Sequence, residues 1–253
     1  MNLRQTGKTT SRALRHGALA LVLALFCSCE TKVVRPASAL WSPAPRVTRA
    51  QSIAIADACA KHRWKAEGKN VFHGKDADGV TVDTPDAGYQ PEGGVAGWWN
   101  PGGWNIGLPY KWGGFDTPQE FDSHVNDGKY AGDVFTARKR ELNNSAVSRH
   151  TTGVDCSGFI SRCWRLSAPV STYEIQQCCD PLRSFDELRP GDVVNKENEH
   201  ISLFVGWDDP AHSVMRVYDV GCPPHWKVVK HGVYTAWLRE HGYRPWRYRK
   251  IID

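Results

Sequence analysis

The chain of 253 residues reads as an α+β protein, with N-terminal helices packed on a C-terminal antiparallel sheet. Two observations carry that expectation. Apolar residues recur at helical spacing in several segments before Asp192, and after it they gather instead in short β-type runs separated by turn residues. Helices followed by consecutive strands point to α+β architecture rather than a parallel α/β sheet.

The N-terminus reads as an export segment over residues 1–39. Arg4, Lys8, Arg12 and Arg15 precede the apolar stretch Ala18–Phe26, which is too short to span a bilayer comfortably. Two exits remain open. Ala37-Ser38-Ala39 fits a small-residue cleavage site, and Cys29 resembles a bacterial lipoprotein's acceptor cysteine. Localisation is therefore expected to be periplasmic, secreted or lipid-anchored to the envelope. Without this segment 26 basic and 26 acidic residues remain. That balance gives no case for nucleic acid or an anionic surface, so a membrane partner is expected only through the possible anchor.

Residues 40–107 read as an N-terminal extension. A helix is expected from Arg49 to Trp64, with Ile53, Ala56, Ala60 and Trp64 on one stripe. From Gly68 to Asn105 Gly, Pro and Asp accumulate, and the segment reads as loop. Its tryptophans, Trp98, Trp99 and Trp104, are expected to cover a core rather than to grip a ligand. Residues 108–253 read as the catalytic domain. Thr117-Pro118-Gln119-Glu120 forms a capping box with proline at the first helical position, followed by Phe121 and Val125 one turn apart. Ser171-Thr172-Tyr173-Glu174 is a second capping box. Arg189-Pro190-Gly191-Asp192 is a turn, and strands are expected at Val193–Asn195, His200–Trp207, Val214–Val220 and Trp246–Ile252. The basic run Arg244–Lys250 reads as a charged sheet edge.

Val154-Asp155-Cys156-Ser157-Gly158-Phe159-Ile160 carries the chemistry. It places Cys156 at a helix N-terminus, where free backbone N–H groups and the helix dipole favour the thiolate. His200 opens an apolar strand 44 residues later and suits the role of base. A four-residue hairpin loop at Asp208–Ala211 pairs Trp207 with His212 and sets Asp219 opposite His200, on one face. Asp219 is then the group that orients the imidazole. His212 falls about 20 Å away and is rejected. Asp155 is better placed to bind a cationic substrate group than to act as a base. Of the remaining cysteines, Cys59, Cys163, Cys178, Cys179 and Cys222, the pairing is open, except that Cys156 and Cys163 on one helix lie about 10 Å apart and cannot join. No zinc pattern is present, and neither a metal nor a cofactor is expected.

Pro109-Tyr110-Lys111-Trp112-Gly113-Gly114, Asp155-Cys156-Ser157-Gly158-Phe159, Leu188-Arg189-Pro190-Gly191-Asp192-Val193 and the His200 strand, in this order, resemble the NlpC/P60 cysteine peptidases. The resemblance runs from about Leu108 to the C-terminus. It implies a papain-like fold and cleavage of amide bonds in peptidoglycan peptides by a monomeric enzyme, with a wall peptide or small peptide as substrate. Cys156 matches the nucleophile, His200 the base and Asp219 the third residue, where histidine is more usual. Tyr110 matches the tyrosine near the oxyanion, and Asp155 and Ser157 match positions that hold a substrate amine. The segment between Tyr110 and Cys156 is long and includes the basic stretch Arg138-Lys139-Arg140, an insertion expected beside the site. Two other functions fit the same residues: an acyltransferase or lipid-acting enzyme, which needs an apolar tunnel, and a non-catalytic glycan- or protein-binding module, which needs Cys156 buried or disulfide-bonded.

Overall fold

A computed structural model describes residues 45–92, 94–221 and 225–253. The export segment, including Cys29 and Ala37–Ala39, and Cys222 lie outside the described residues. Five helices and a six-stranded sheet position the site. The helices are α1 (Arg49–Lys61), α2 (Pro118–Asn126), α3 (Ala137–Leu142), α4 (Cys156–Cys163) and α5 (Thr235–Glu240). The strands are β1 (Cys179–Pro181), β2 (Val193–Lys196), β3 (His200–Trp207), β4 (Val214–Gly221), β5 (Lys227–Tyr234) and β6 (Arg244–Tyr248). They lie in the order β5-β4-β3-β2-β6-β1, every neighbour antiparallel. The protein is thus mixed α and β with a wholly antiparallel main sheet, as the strand spacing predicts.

The two faces of the sheet bury different clusters. On one face α4 lies against β3 and α1, and Phe159, Ile160 and Cys163 pack with Leu203, Tyr218 and Val220. On the other, Phe204, Met215 and Val217 meet Leu238, Tyr243, Phe185 and Leu188. Strand alternation produces this division, since successive side chains leave a strand on opposite faces. Trp164 stacks on Tyr248 at 5.0 Å and ties the end of α4 to β6. Trp64 and Trp99 belong to the same core as α4, so the residues before Leu108 complete the core. The described residues form one compact unit.

Several expectations are corrected. The first helix ends at Lys61, because Gly107 and Leu108 donate their N–H groups to the carbonyls of His62 and Cys59 and take over the helix end. Trp64 therefore sits on a short strand, Arg63–Lys65, paired with Trp104–Ile106, and the buried stripe of α1 is Ser52, Ala56 and Cys59. Within the segment expected to be loop, His73–Lys75 and Thr81–Asp83 form a hairpin, its turn held by Asp76 Oδ1 accepting from Asp78 and Val80. Trp99 is fully buried, whereas Trp104 is 61% exposed beneath Arg63 and Lys65 and covers no core. The helix at Thr117–Glu120 and its buried pair, Phe121 and Val125, are as expected. The Ser171–Glu174 box forms its reciprocal bonds but opens only a 3₁₀ turn, Glu174–Gln177.

The basic C-terminal run is not an edge. β6 is internal, between β2 and β1, and its cations are used inside the fold. Arg247 and Arg49 both bind the fully buried carboxylate of Asp192, which closes the Arg189–Asp192 turn by accepting from the Arg189 N–H. Arg249 pairs with Asp180.

The β3–β4 hairpin differs from expectation in register. Its loop is six residues, Asp208–Ser213, because the Asp209 carboxylate accepts from the N–H groups of Ala211, Ser213 and Val214 and stabilises a longer turn. Trp207 pairs with Met215 rather than His212, an offset of three. A bulge between Phe204 and Gly206 takes back one residue, so Leu203 pairs with Tyr218 and the offset near His200 is two. An even offset preserves the face, so Asp219 still shares its face with His200, one diagonal step away.

Candidate active site

Two segments far apart in sequence are laced together to build the site. Lys111 N–H donates to the Val154 carbonyl, Val154 N–H to the Pro109 carbonyl, and Asp155 N–H to the Gly114 carbonyl. Tyr110 is thereby held beside the start of α4. A Cβ at Gly158 would lie 1.9 Å from the Gly114 oxygen, so only glycine lets α4 approach this closely. The glycines that punctuate the two motifs are the contact between them.

α4 begins at Cys156 with Asp155 as its N-cap. Asp155 Oδ1 accepts from Gly158 N–H at 2.6 Å and from Ser157 Oγ at 3.0 Å. Burial pushes the Asp155 carboxyl up, against the pull of these bonds. Cys156 is the one half-exposed thiol among the five free cysteines described; Cys59, Cys163, Cys178 and Cys179 are buried. Burial pushes the Cys59 thiol up to about 12 and raises Cys163 and Cys179 well above the ordinary range.

His200 Nε2 meets Asp219 Oδ1 at 2.6 Å, the histidine side chain 24% exposed and the aspartate 8%. Burial pulls the imidazole pKa down. The Asp219 charge, its hydrogen bond and the nearby Cys156 thiol together outweigh that, and leave it well above its ordinary value. With Nε2 given to Asp219, Nδ1 is the nitrogen left for the sulfur. Asp219 is itself surrounded by donors: Ser202 Oγ lies 3.2 Å and His231 Nε2 3.4 Å from its Oδ2. Burial raises its pKa, but the two histidines lower it more, so it stays a carboxylate.

Tyr110, Asp155, Cys156, Ser157, His200 and Asp219 all line one cavity of about 1280 Å³. Burial pushes the Tyr110 hydroxyl well up, and the charges of Cys156 and Asp155 add to it, so it stays protonated as a donor. Tyr110 also packs against Trp226, ring centroids 5.4 Å apart. His212 lies at the far end of the hairpin, bonded to Asp186 and stacked on Trp207.

Sequence reasoning missed three neighbours. Ser202 was readable as the alternate residue after His200. His231 sits on β5, whose run Lys227-Val228-Val229-Lys230-His231-Gly232-Val233-Tyr234 carries a β pattern that was available. Gly221, at φ +149°, flanks the imidazole: a Cβ there would lie 3.3 Å from His200 Cε1. Among the described residues one group of metal-ligand types converges, Asp76, Asp78 and His150, with ligand atoms within 4.8 Å. Ser148, Arg149 and the histidine already occupy its carboxylates.

Compared with protein-family models, curated proteins and solved structures, the chain matches none.

Proposed function

We propose that the protein is an exported thiol hydrolase of the NlpC/P60 type, on a papain-like scaffold, that cleaves amide bonds in cell-wall peptides. One observation carries this reading: a half-exposed thiol at a helix N-terminus shares a cavity with an imidazole locked to a buried carboxylate.

The chemistry follows from these positions. The Cys156 sulfur attacks the scissile carbonyl and a C–S bond forms. The developing oxyanion is met by the Cys156 N–H, unpaired at the helix start, and by the Tyr110 hydroxyl. His200, protonated through its pairing with Asp219, gives its proton to the leaving amine as the C–N bond breaks. A thioester and a neutral imidazole remain. Water attacks the thioester while His200 takes its proton, the C–S bond breaks, and the acid product leaves a thiolate beside an imidazolium. Asp219 holds the ring and stabilises its cationic form; Ser202 and His231 hold Asp219.

One competing function fares less well: a binding module needs Cys156 sealed or oxidised, and it is free and half-exposed. The test is digestion of purified muropeptides by the wild type and by Cys156→Ala, with mass analysis of the products. New amine and carboxyl termini should appear only with the wild type, while the variant keeps the wild-type circular dichroism. Cleavage by the variant at the wild-type rate would refute the assignment.

A further inference from the structure

The insertion between Tyr110 and Cys156 builds one wall of the cavity. Its helix α3 is capped by Thr136, and Lys139 turns inward to pair with the buried Asp133 and to donate to the Val134 carbonyl at 2.9 Å. This anchor fixes the register of the short helix. Arg140, the next residue, projects instead toward the cavity, its guanidinium 4.7 Å from the Phe135 ring centroid. No carboxylate pairs with it among the described residues, although Arg138, two residues earlier, is paired with Glu141. Among the described residues Arg140 is the only lysine or arginine on the cavity wall. Arg140, Tyr110 and Cys156 line the same cavity.

Asn143 and Asn144 extend the same wall, and among the described residues no protein group engages their side-chain amides. Asn143 adopts φ +50°, a conformation that costs a non-glycine residue energy, and its carbonyl accepts from Trp112 Nε1 at 3.3 Å. An unpaired guanidinium braced on an aromatic ring, beside two free amides, offers the donors that a carboxylate accepts.

We propose that Arg140, with Asn143 and Asn144, forms a carboxylate-binding subsite in the cavity that Cys156 lines, so that the favoured substrates carry a free carboxylate. The substrate class rests on the hydrolase reading above; the subsite itself does not.

The test compares alkylation of Cys156 by iodoacetate and by iodoacetamide at low ionic strength. The ratio of the two rates cancels any change in thiol reactivity and isolates the reagent's negative charge. Arg140→Gln should lower that ratio by about threefold or more, and added salt should shrink the difference. Arg138→Gln removes the same charge from the same helix, away from the cavity, and should leave the ratio near the wild-type value. An unchanged ratio in Arg140→Gln, or an equal fall in both variants, would overturn the proposal. If neither reagent modifies Cys156, the nucleophile assignment falls, and the subsite is decided separately. In that case Cys156→Ala protein is titrated with N-acetylalanine and N-acetylalaninamide by saturation-transfer NMR. A stronger signal for the acid, lost in Cys156→Ala/Arg140→Gln, would support the subsite; equal signals would overturn it.

Discussion

Replacing Asp219 by Asn keeps the shape of the site and removes the charge that holds His200 in its cationic form. The contact is short, 2.6 Å, and the carboxylate is 8% exposed, so solvent screens it little. A hydrogen bond to a charged partner contributes about 1.5–3 kcal/mol. At 1.36 kcal/mol per factor of ten, the population of the sulfur–imidazolium pair should fall about 10- to 100-fold at neutral pH. The assay is the pH dependence of Cys156 alkylation by iodoacetamide, followed by peptide mapping. At neutral pH Asp219→Asn should react about 10- to 100-fold more slowly than the wild type, and the gap should narrow as pH rises through the raised His200 value and the wild type loses its imidazolium as well. Identical profiles for the two proteins would refute the claim that Asp219 acts through His200.

The same pair should shape stability. His200 is raised, so its contribution is complete below its ordinary 6.5 and is lost as pH rises through the folded value; Asp219 is lowered, so its contribution is present above its ordinary 3.8 and is lost as pH falls through the folded value. The gap in melting temperature between wild type and Asp219→Asn should therefore be widest between these two values and narrow on either side. His231→Gln should slow turnover modestly and shift its acidic limb, because its hydrogen bond helps hold Asp219 as a carboxylate; an unchanged pH profile would assign it a structural role. Native alkylation should mark Cys156 and spare Cys59 and Cys163 until denaturant is added, as their burial requires. Asp192→Ala leaves Arg49 and Arg247 without their shared carboxylate and should cost about 3–5 kcal/mol in urea unfolding.

Much of the site was legible because its signals are local. The thiol at the first helical position and the Thr117 capping box are decided within a few residues of chain, although Asp155, read as a substrate binder, turns out to cap the helix that Cys156 opens. The pairing of Asp219 with His200 was reached through a hairpin two residues out of register, and survived because strand faces repeat every two residues. An odd error would have lost it. What escaped the sequence is long-range. The helix end at Lys61 is set by the N–H groups of Gly107 and Leu108, and Arg247 seeks Asp192, 55 positions away. β6 looked like an edge because its charges are written in the sequence and their buried partner is not. β5 was overlooked because Lys230 and His231 dilute its apolar alternation.

The central claim is that Cys156 forms a covalent bond to the substrate's carbonyl. Its most direct test is the intact mass of the protein quenched in acid during turnover of an activated ester of a wall peptide. The account predicts an added acyl mass, mapped to Cys156 and released by hydroxylamine. Turnover with no adduct on Cys156, or with the acyl group on another residue, would contradict it.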